Sequence, residues 1–419
     1  MASRVKGIKA SSLVISVVTI GILLSLNQYL VLFWLGCGGP IFSVNYSNET
    51  PLRTTASALG YNVGALANAP FAFPPCDLSG LKVLLIWVHF EGNVGDEMET
   101  TPLLQFLRHC NAHVSAQLSD WREEMIHPRT ARAVSLVDTI LLPADALTNT
   151  SHYDVTISSP GPHASFATDI VFGTSLIHLN IGHINPDIKL AVLREPLSYR
   201  MLLESEKLPL SARTFMSADL SFSFPASKAG MDYWRMYYSN RGFADKILVF
   251  SRANNFGPGL GVDVVADDSG EMRFQLKIAE GTIQTLRLDE IVVASSSSIE
   301  DTHHFQNLKQ LVAKNYIHRK DNVTSPVLLL AMCEQVEQLW ALVSMSRMVY
   351  TDRYHPGVAA RIFDVPMQTV AFSKQSVKLD GLMMLSNWSA VEMRDSDREA
   401  FGLLEGVLRD IHTAKKGIT

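Results

Sequence analysis

"LKVLLIWVHF", residues 81–90, is an almost unbroken apolar run, and "EGNVGDEMET", residues 91–100, follows it. A run of that length reads as a strand buried on both faces, the kind that lies in a parallel sheet beneath helices. The residues after it change character. Gly92, Asn93 and Gly95 suit a tight turn, and Asp96 and Glu97 are acidic residues placed to open a helix, where the backbone dipole favours negative charge. Strand, turn, helix is the first step of an α/β fold.

Working outward, candidate strands follow at residues 112–118, 138–144, 154–161, 175–182 and 188–195, with helical stretches around 99–109 and 196–206. A second series has strands at 246–254, 289–298, 347–353 and 367–373, with a long helix over about 326–346 before the third. Residues 229–245 read as a linker or a helix between the two series. The C-terminal segment sets Phe401, Leu404, Leu408 and Ile411 on one helical face, with Ser396 and Glu399 spaced as a capping box. Short apolar strands alternating with helices imply parallel sheets covered on both faces. The expected fold class is α/β, with two Rossmann-like domains facing a cleft, at residues 81–240 and 241–419.

The N-terminus carries a different signal. Arg4, Lys6 and Lys9 precede residues 11–36, which hold no charged side chain and are long enough to cross a bilayer, for which about 20 apolar residues suffice. The next basic residue is Arg53, so the positive-inside rule places the tail, residues 1–10, in the cytosol. A cleaved signal peptide is the alternative, but the apolar stretch exceeds the roughly 7–15 residues of such a segment. Residues 37–80 lack lysine and are rich in Gly, Pro, Ser, Asn, Ala and Thr, like a flexible stem. Sequons at Asn45, Asn48, Asn149, Asn322 and Asn387 agree with a lumenal side. The expectation is a single-pass type II protein of the Golgi membrane with a lumenal catalytic domain. Of 419 residues, 47% are hydrophobic and 18% charged, so the chain is globular, and its net charge of −5 with no basic stripe argues against nucleic-acid binding. Cys37, Cys76, Cys110 and Cys333 form no C-x-x-C pair; one or two disulfides fit them, a zinc site does not.

Ligands of open α/β sheets bind beyond the carboxyl ends of the strands. At those ends lie His163, Arg194, Arg252 and, in "TDRYHPGVAARIFDVP" (351–366), Arg353 and His355. Three arginine-bearing strand ends directed at one cleft describe a site for a polyanion, because the planar guanidinium fits carboxylate and phosphate in two-point fashion. Each residue has a plainer reading. Asp96 serves equally as a helix cap, Arg194 and Arg252 as ion pairs between the halves, and His355 as a buried histidine bound to a carbonyl. His303 and His304 have no third ligand at a recognisable spacing, so no metal is expected.

The order Gly92-Asn93-Val94-Gly95-Asp96-Glu97, Arg194-Glu195-Pro196-Leu197-Ser198, Asp219-Leu220-Ser221-Phe222 and Arg353-Tyr354-His355-Pro356-Gly357, with Pro366 and Lys374 after it, resembles the polysaccharide pyruvyl transferase family over about residues 85–385. That family reads roughly G-N-x-G-D, R-D-x-x-S, D-P-A-F and R-L-H-G. Here Glu195 replaces an aspartate, Tyr354 and Pro356 alter the last motif, and Ser159-Pro160-Gly161-Pro162 stands at the glycine-rich strand end. The resemblance implies a fold similar to GT-B glycosyltransferases, with phosphoenolpyruvate as donor and no further cofactor. It implies a glycan acceptor ending in galactose, two of whose hydroxyls become bridged in a pyruvate ketal. His355 and Arg353 are then the expected catalytic residues, Arg194, Arg252 and Arg353 the donor-binding ones, and His163, Asn93 and Asp96 the acceptor-binding ones. The rival readings are a Golgi glycosyltransferase using a nucleotide sugar and an inactive carbohydrate-binding homologue.

Overall fold

In the computed structural model the described residues are 71–87, 93–119, 153–159, 168–176, 186–205, 208–251, 262–268, 271–278, 282–297, 329–370 and 376–417, all within the unit Tyr61–Thr419. The apolar run that opened the chain's folded part is β1 (Lys82–Trp87). With β2 (His113–Ser119), β3 (Val155–Ser159), β4 (Ile170–Thr174), β5 (Leu190–Leu193) and β6 (Arg213–Met216) it forms a sheet of order β2-β1-β3-β4-β5-β6, parallel throughout. Helix α1 (Val94–His109) joins β1 to β2, and α2 (Pro196–Glu204) joins β5 to β6. After β6 come a 3-10 turn (Leu220–Ser223) and α3 (Lys228–Ser239), so the 229–245 segment is a helix.

The second half is built on β7 (Ile247–Phe250), followed by a meander of β8 (Val262–Ala266), β9 (Met272–Lys277) and β10 (Ile283–Arg287). Then come β11 (Ile291–Ser295), β12 (Leu329–Met332), α4 (Val336–Ser344), β13 (Met348–Thr351), α5 (Tyr354–Ile362) and β14 (Met367–Thr369). Two more helices, α6 (Ser376–Met383) and α7 (Ala390–Lys416), end the described chain. The second sheet has the order β12-β11-β7-β13-β14, again all parallel. The expected α/β class with two parallel sheets is present.

Four expectations are corrected. No strand includes Ser175 or Leu176; the strand lies just before them as β4, which is buried along its whole length, and residues 177–182 fall outside the described ones. Gly173 bends β4 with φ +75° at a register shift, and the Leu220 side chain fills the space a Cβ would need. The long helix at 326–346 is a strand, β12, followed by the shorter α4. A short apolar run such as "LLAM" satisfies either period, and its ladder with β11 decides. A third sheet, antiparallel and of order β10-β9-β8, stands outside the expected two. Its β9 alternates buried and half-exposed residues, which marks a sheet with only one face covered. Val264, Phe274 and Leu276 of that face pack on Val249, Val293 and Tyr350 of the second sheet.

The fourth correction concerns the C-terminal helix and the stem. Helix α7 starts at Ala390, capped by Ser389 and Glu392 rather than by Ser396 and Glu399. Ser396 lies within the helix, where its hydroxyl donates to the Met393 carbonyl and accepts from the Ala218 N–H at 2.9 Å. Although α7 follows the second half in sequence, Phe401, Leu404, Leu408 and Ile411 close the core beneath the first sheet. Phe71 and Leu78 are buried in that same core, and a Cys76–Cys110 disulfide ties the segment to the end of α1. The last ten residues assigned to the stem are therefore part of the folded domain. No helix among the described residues is long and apolar enough to cross a membrane, and residues 11–36 lie outside them.

Candidate functional site

In each sheet the strand order reverses beside one strand. In the first sheet β1 is followed by β2 on one side and β3 on the other; in the second, β11 and β13 flank β7. Ligands of such sheets bind outside the carboxyl ends at these reversals. The carboxyl end of β1 leads to Asn93 and α1, and that of β13 leads to Arg353 and α5. These two places meet. An ideal Cβ on Gly95 would stand 1.8 Å from His355 Nδ1, so the absence of a side chain at Gly95 is what lets the imidazole rest on the first turn of α1.

The contact extends one helical turn further. Glu99 is four residues beyond Gly95 and so lies on the same face of α1. His355 Nε2 is 2.7 Å from Glu99 Oε1. Arg194 Nη1 pairs with the same oxygen, and it also donates to Asp219 Oδ2 at 3.1 Å. Asp219 is held in turn by the 3-10 turn it caps, accepting from Ser221 N–H at 2.9 Å. The Arg194 guanidinium stacks on the Tyr354 ring, 4.4 Å from its centroid. Glu99, Arg194 and Asp219 are all at most 4% exposed. The segments that follow β1, β5, β6 and β13 thus all contribute to a single array, in which the carboxylates and Arg194 are buried and His355 is partly so.

Charge sets the state of the histidine. The protonated ring is disfavoured first by burial and then by the positive charges of Arg194, Lys378 and Arg353, with Asp219 acting the other way; its pKa falls to about 3. His355 is neutral at physiological pH. An ionised Glu99 only accepts hydrogen bonds and so favours the tautomer with the ring's proton on Nε2 and the lone pair on Nδ1. The neighbouring Tyr354 hydroxyl is also buried, and burial raises its pKa well above the ordinary value.

Arg353 caps α5 from an extended backbone and is itself buried. Its N–H donates to Thr351 Oγ1 at 2.8 Å, and that hydroxyl donates to the Arg353 carbonyl. Asn93 is the residue that caps α1, its Oδ1 accepting from Gly95 N–H at 3.1 Å; Asp96 sits in the first turn instead. The serine run after β11 bonds across to this corner. Val94 N–H donates to the Ser296 carbonyl at 3.0 Å, and Asn93 bridges Ser297. Glu195 is wholly structural in its contacts, capping α2 through Ser198 N–H at 2.8 Å and holding the Ser175 and Ser198 hydroxyls.

Of the residues expected from sequence, His355, Arg353, Arg194, Asn93 and Asp96 are described, whereas Arg252 and His163 lie outside the described residues. His355 lies directly against Gly95, and Arg194 meets the imidazole through a shared carboxylate, Glu99. Arg194 also pairs with Asp219, and both carboxylates belong to its own half, so its ion pairs do not run between the halves as the plainer reading had them. Glu99 and Asp219 were given no role in the sequence. Asp219 stood inside a quoted motif; Glu99's only signal was its i+4 spacing from Gly95. Glu99, Asp219 and His355 also bring three potential ligand atoms within 4.8 Å of one another, a grouping that suits a divalent cation. Any such ion would compete with the Arg194 guanidinium, which already contacts both carboxylates.

No protein-family profile and no curated protein matches the chain. Solved structures similar to it include UDP-GlcNAc 2-epimerase from Neisseria meningitidis bound to UDP-GlcNAc, with TM-score 0.38, 9% identity, 79% of this chain and 99% of that one covered. The N-terminal domain of Candida albicans trehalose-6-phosphate phosphatase has TM-score 0.36 and 9% identity, covering 81% and 99%. The glycosyltransferase SnogD from Streptomyces nogalater has TM-score 0.29 and 11% identity, covering 81% and 98%. At these values the likenesses carry no argument about this chain's chemistry.

Proposed function

We propose that the chain is a pyruvyl transferase that moves the enolpyruvyl group of phosphoenolpyruvate onto two hydroxyls of a glycan sugar, with release of phosphate. One observation supports this reading most. The four motifs that carry the resemblance, spread from Gly95 to His355, converge on one junction at the strand ends of both sheets.

The chemistry balances as follows. The donor's methylene carbon takes a proton, a sugar hydroxyl oxygen bonds to the central carbon, and the carbon–oxygen bond to phosphate breaks. The second hydroxyl then closes the ketal. Of the two hydroxyl protons lost, one matches the proton gained by the methyl group and the other leaves with phosphate. In this scheme Arg353 holds the donor's carboxylate or phosphate, and His355 exchanges the proton. Neutral before the donor arrives, His355 begins as an acceptor, and a bound polyanion favours its charged form. The acceptor is proposed to be a galactose-terminated glycan, met on the side of Asn93 and Asp96.

Donor choice separates this reading from a nucleotide-sugar transferase. The full chain is heated with phosphoenolpyruvate, UDP-galactose or GDP-mannose, and the unfolding midpoint is followed. A ligand at one hundred times its Kd stabilises by about 2.7 kcal/mol. Stabilisation by phosphoenolpyruvate alone is expected; stabilisation by a nucleotide sugar and not by phosphoenolpyruvate would sink the proposal.

A further inference from the structure

We infer that Glu99 is the positioning residue for His355: its carboxylate fixes the orientation and tautomer of the imidazole, and Arg194 and Asp219 hold that carboxylate in place. The catalytic part of this inference rests on the pyruvyl transfer reading; the geometric part does not.

Three observations carry it. First, the His355–Glu99 bond joins residues 256 apart in sequence, one from each half of the molecule, at 2.7 Å. Second, the approach is built in: a Cβ at Gly95 would keep the ring from the helix face on which Glu99 stands, and glycine has none. Third, Glu99 is not free to turn. It is 2% exposed, and Arg194 Nη1 ties it to Asp219, which is fixed by its own cap to Ser221 N–H. A chain of imidazole, carboxylate, guanidinium and second carboxylate then leaves the ring one orientation and one tautomer. The Nε2–H points at Glu99, and Nδ1 lies against Gly95 in the first turn of α1, near the carboxyl ends of β1 and β13. A histidine that moves a proton needs this arrangement, because the wrong tautomer presents a proton where a lone pair is required.

The test begins with the unaltered chain. With the 13 histidines labelled with ¹⁵N, the ring signals of His355 are assigned by their loss in His355→Gln. The inference expects a neutral ring with its proton on Nε2; a ring protonated on Nδ1 overturns it, and this outcome needs no variant at Glu99 to fold. Glu99→Gln follows. Its amide can turn its NH₂ toward Nε2, so the expected ring is a mixture of tautomers or the Nδ1–H form. Turnover should fall by about 10²–10⁴ while the donor KM stays within a few-fold. Glu99→Asp, which restores the charge one methylene short, should recover part of kcat without changing KM. An unchanged tautomer and kcat in folded Glu99→Gln overturns the inference. If the unaltered chain turns over no phosphoenolpyruvate, yet shows the Nε2–H ring and loses it in Glu99→Gln, the proposed function fails and the positioning role stands.

Discussion

His355 is where electrostatics and packing act on one side chain. Its pKa, near 6.5 in the unfolded chain, falls to about 3 in the fold, because burial first, and then Arg194, Lys378 and Arg353, oppose the charge more than Asp219 favours it. The sign is definite. Above pH 6.5 both states leave the ring neutral; as pH falls from there toward 3, the unfolded state takes up a proton that the native state refuses. Stability is lost across that window at up to about 1.4 kcal/mol per pH unit. His355→Gln should therefore flatten the pH dependence of urea unfolding between pH 6 and 4, and an equal slope in both proteins would show that the ring is charged in the fold. Gly95 gives a second check at this scale. Alanine is the better helix former by about 1 kcal/mol, yet its Cβ would stand 1.8 Å from Nδ1. Gly95→Ala should lower stability by about 1–3 kcal/mol in denaturant titration, with the ring displaced from Glu99.

Elements tell a different story about what sequence reveals. Strands β1, β5, β7, β11 and β13 were legible as apolar runs because both their faces are covered. The β8–β10 meander was not, since its residues are apolar on one face only and its strands carry charges such as Arg273, paired to Asp267 and Glu271. Helix α7 was legible as an amphipathic face, but which sheet that face covers is a tertiary fact that period alone does not contain. Phe401 touches Phe71, Phe73, Phe106 and Phe172, with ring centroids 4.9 to 5.7 Å apart. Phe401→Ala should cost about 3–5 kcal/mol in chemical unfolding, because the cavity opens among four rings. A loss below about 1 kcal/mol would mean that α7 does not hold the first sheet. The site divides in the same way. Arg353 and His355 were visible at a strand end, while Glu99 resembled any solvated helix glutamate until His355 lay against it.

At the scale of the whole molecule, two parallel sheets, an antiparallel one, a returning C-terminal helix and, among the described residues, one disulfide hold the fold together. The Cys76–Cys110 bond closes a 34-residue separation and fastens the segment around Phe71 to α1. Such bonds persist in oxidising compartments, so the state of these two cysteines tests the secretory route expected from the sequence. Asn387 is a sequon residue among those described, and it is exposed. Alkylation without reduction should modify Cys333 only after unfolding, because it is buried, and should leave Cys76 and Cys110 unmodified. Replacing both disulfide cysteines with alanine should cost about 2–5 kcal/mol. Free thiols at 76 and 110 in protein isolated from its native compartment would contradict a lumenal location.

The measurement that bears most directly on the central claim is product analysis. The full chain is incubated with phosphoenolpyruvate and labelled galactosides, and the products are read by mass spectrometry alongside released phosphate. Pyruvyl transfer predicts a galactoside heavier by one pyruvate less one water, phosphate in equal amount, and loss of both signals in His355→Gln. Galactoside of unchanged mass, from a folded chain that binds the donor, would contradict it.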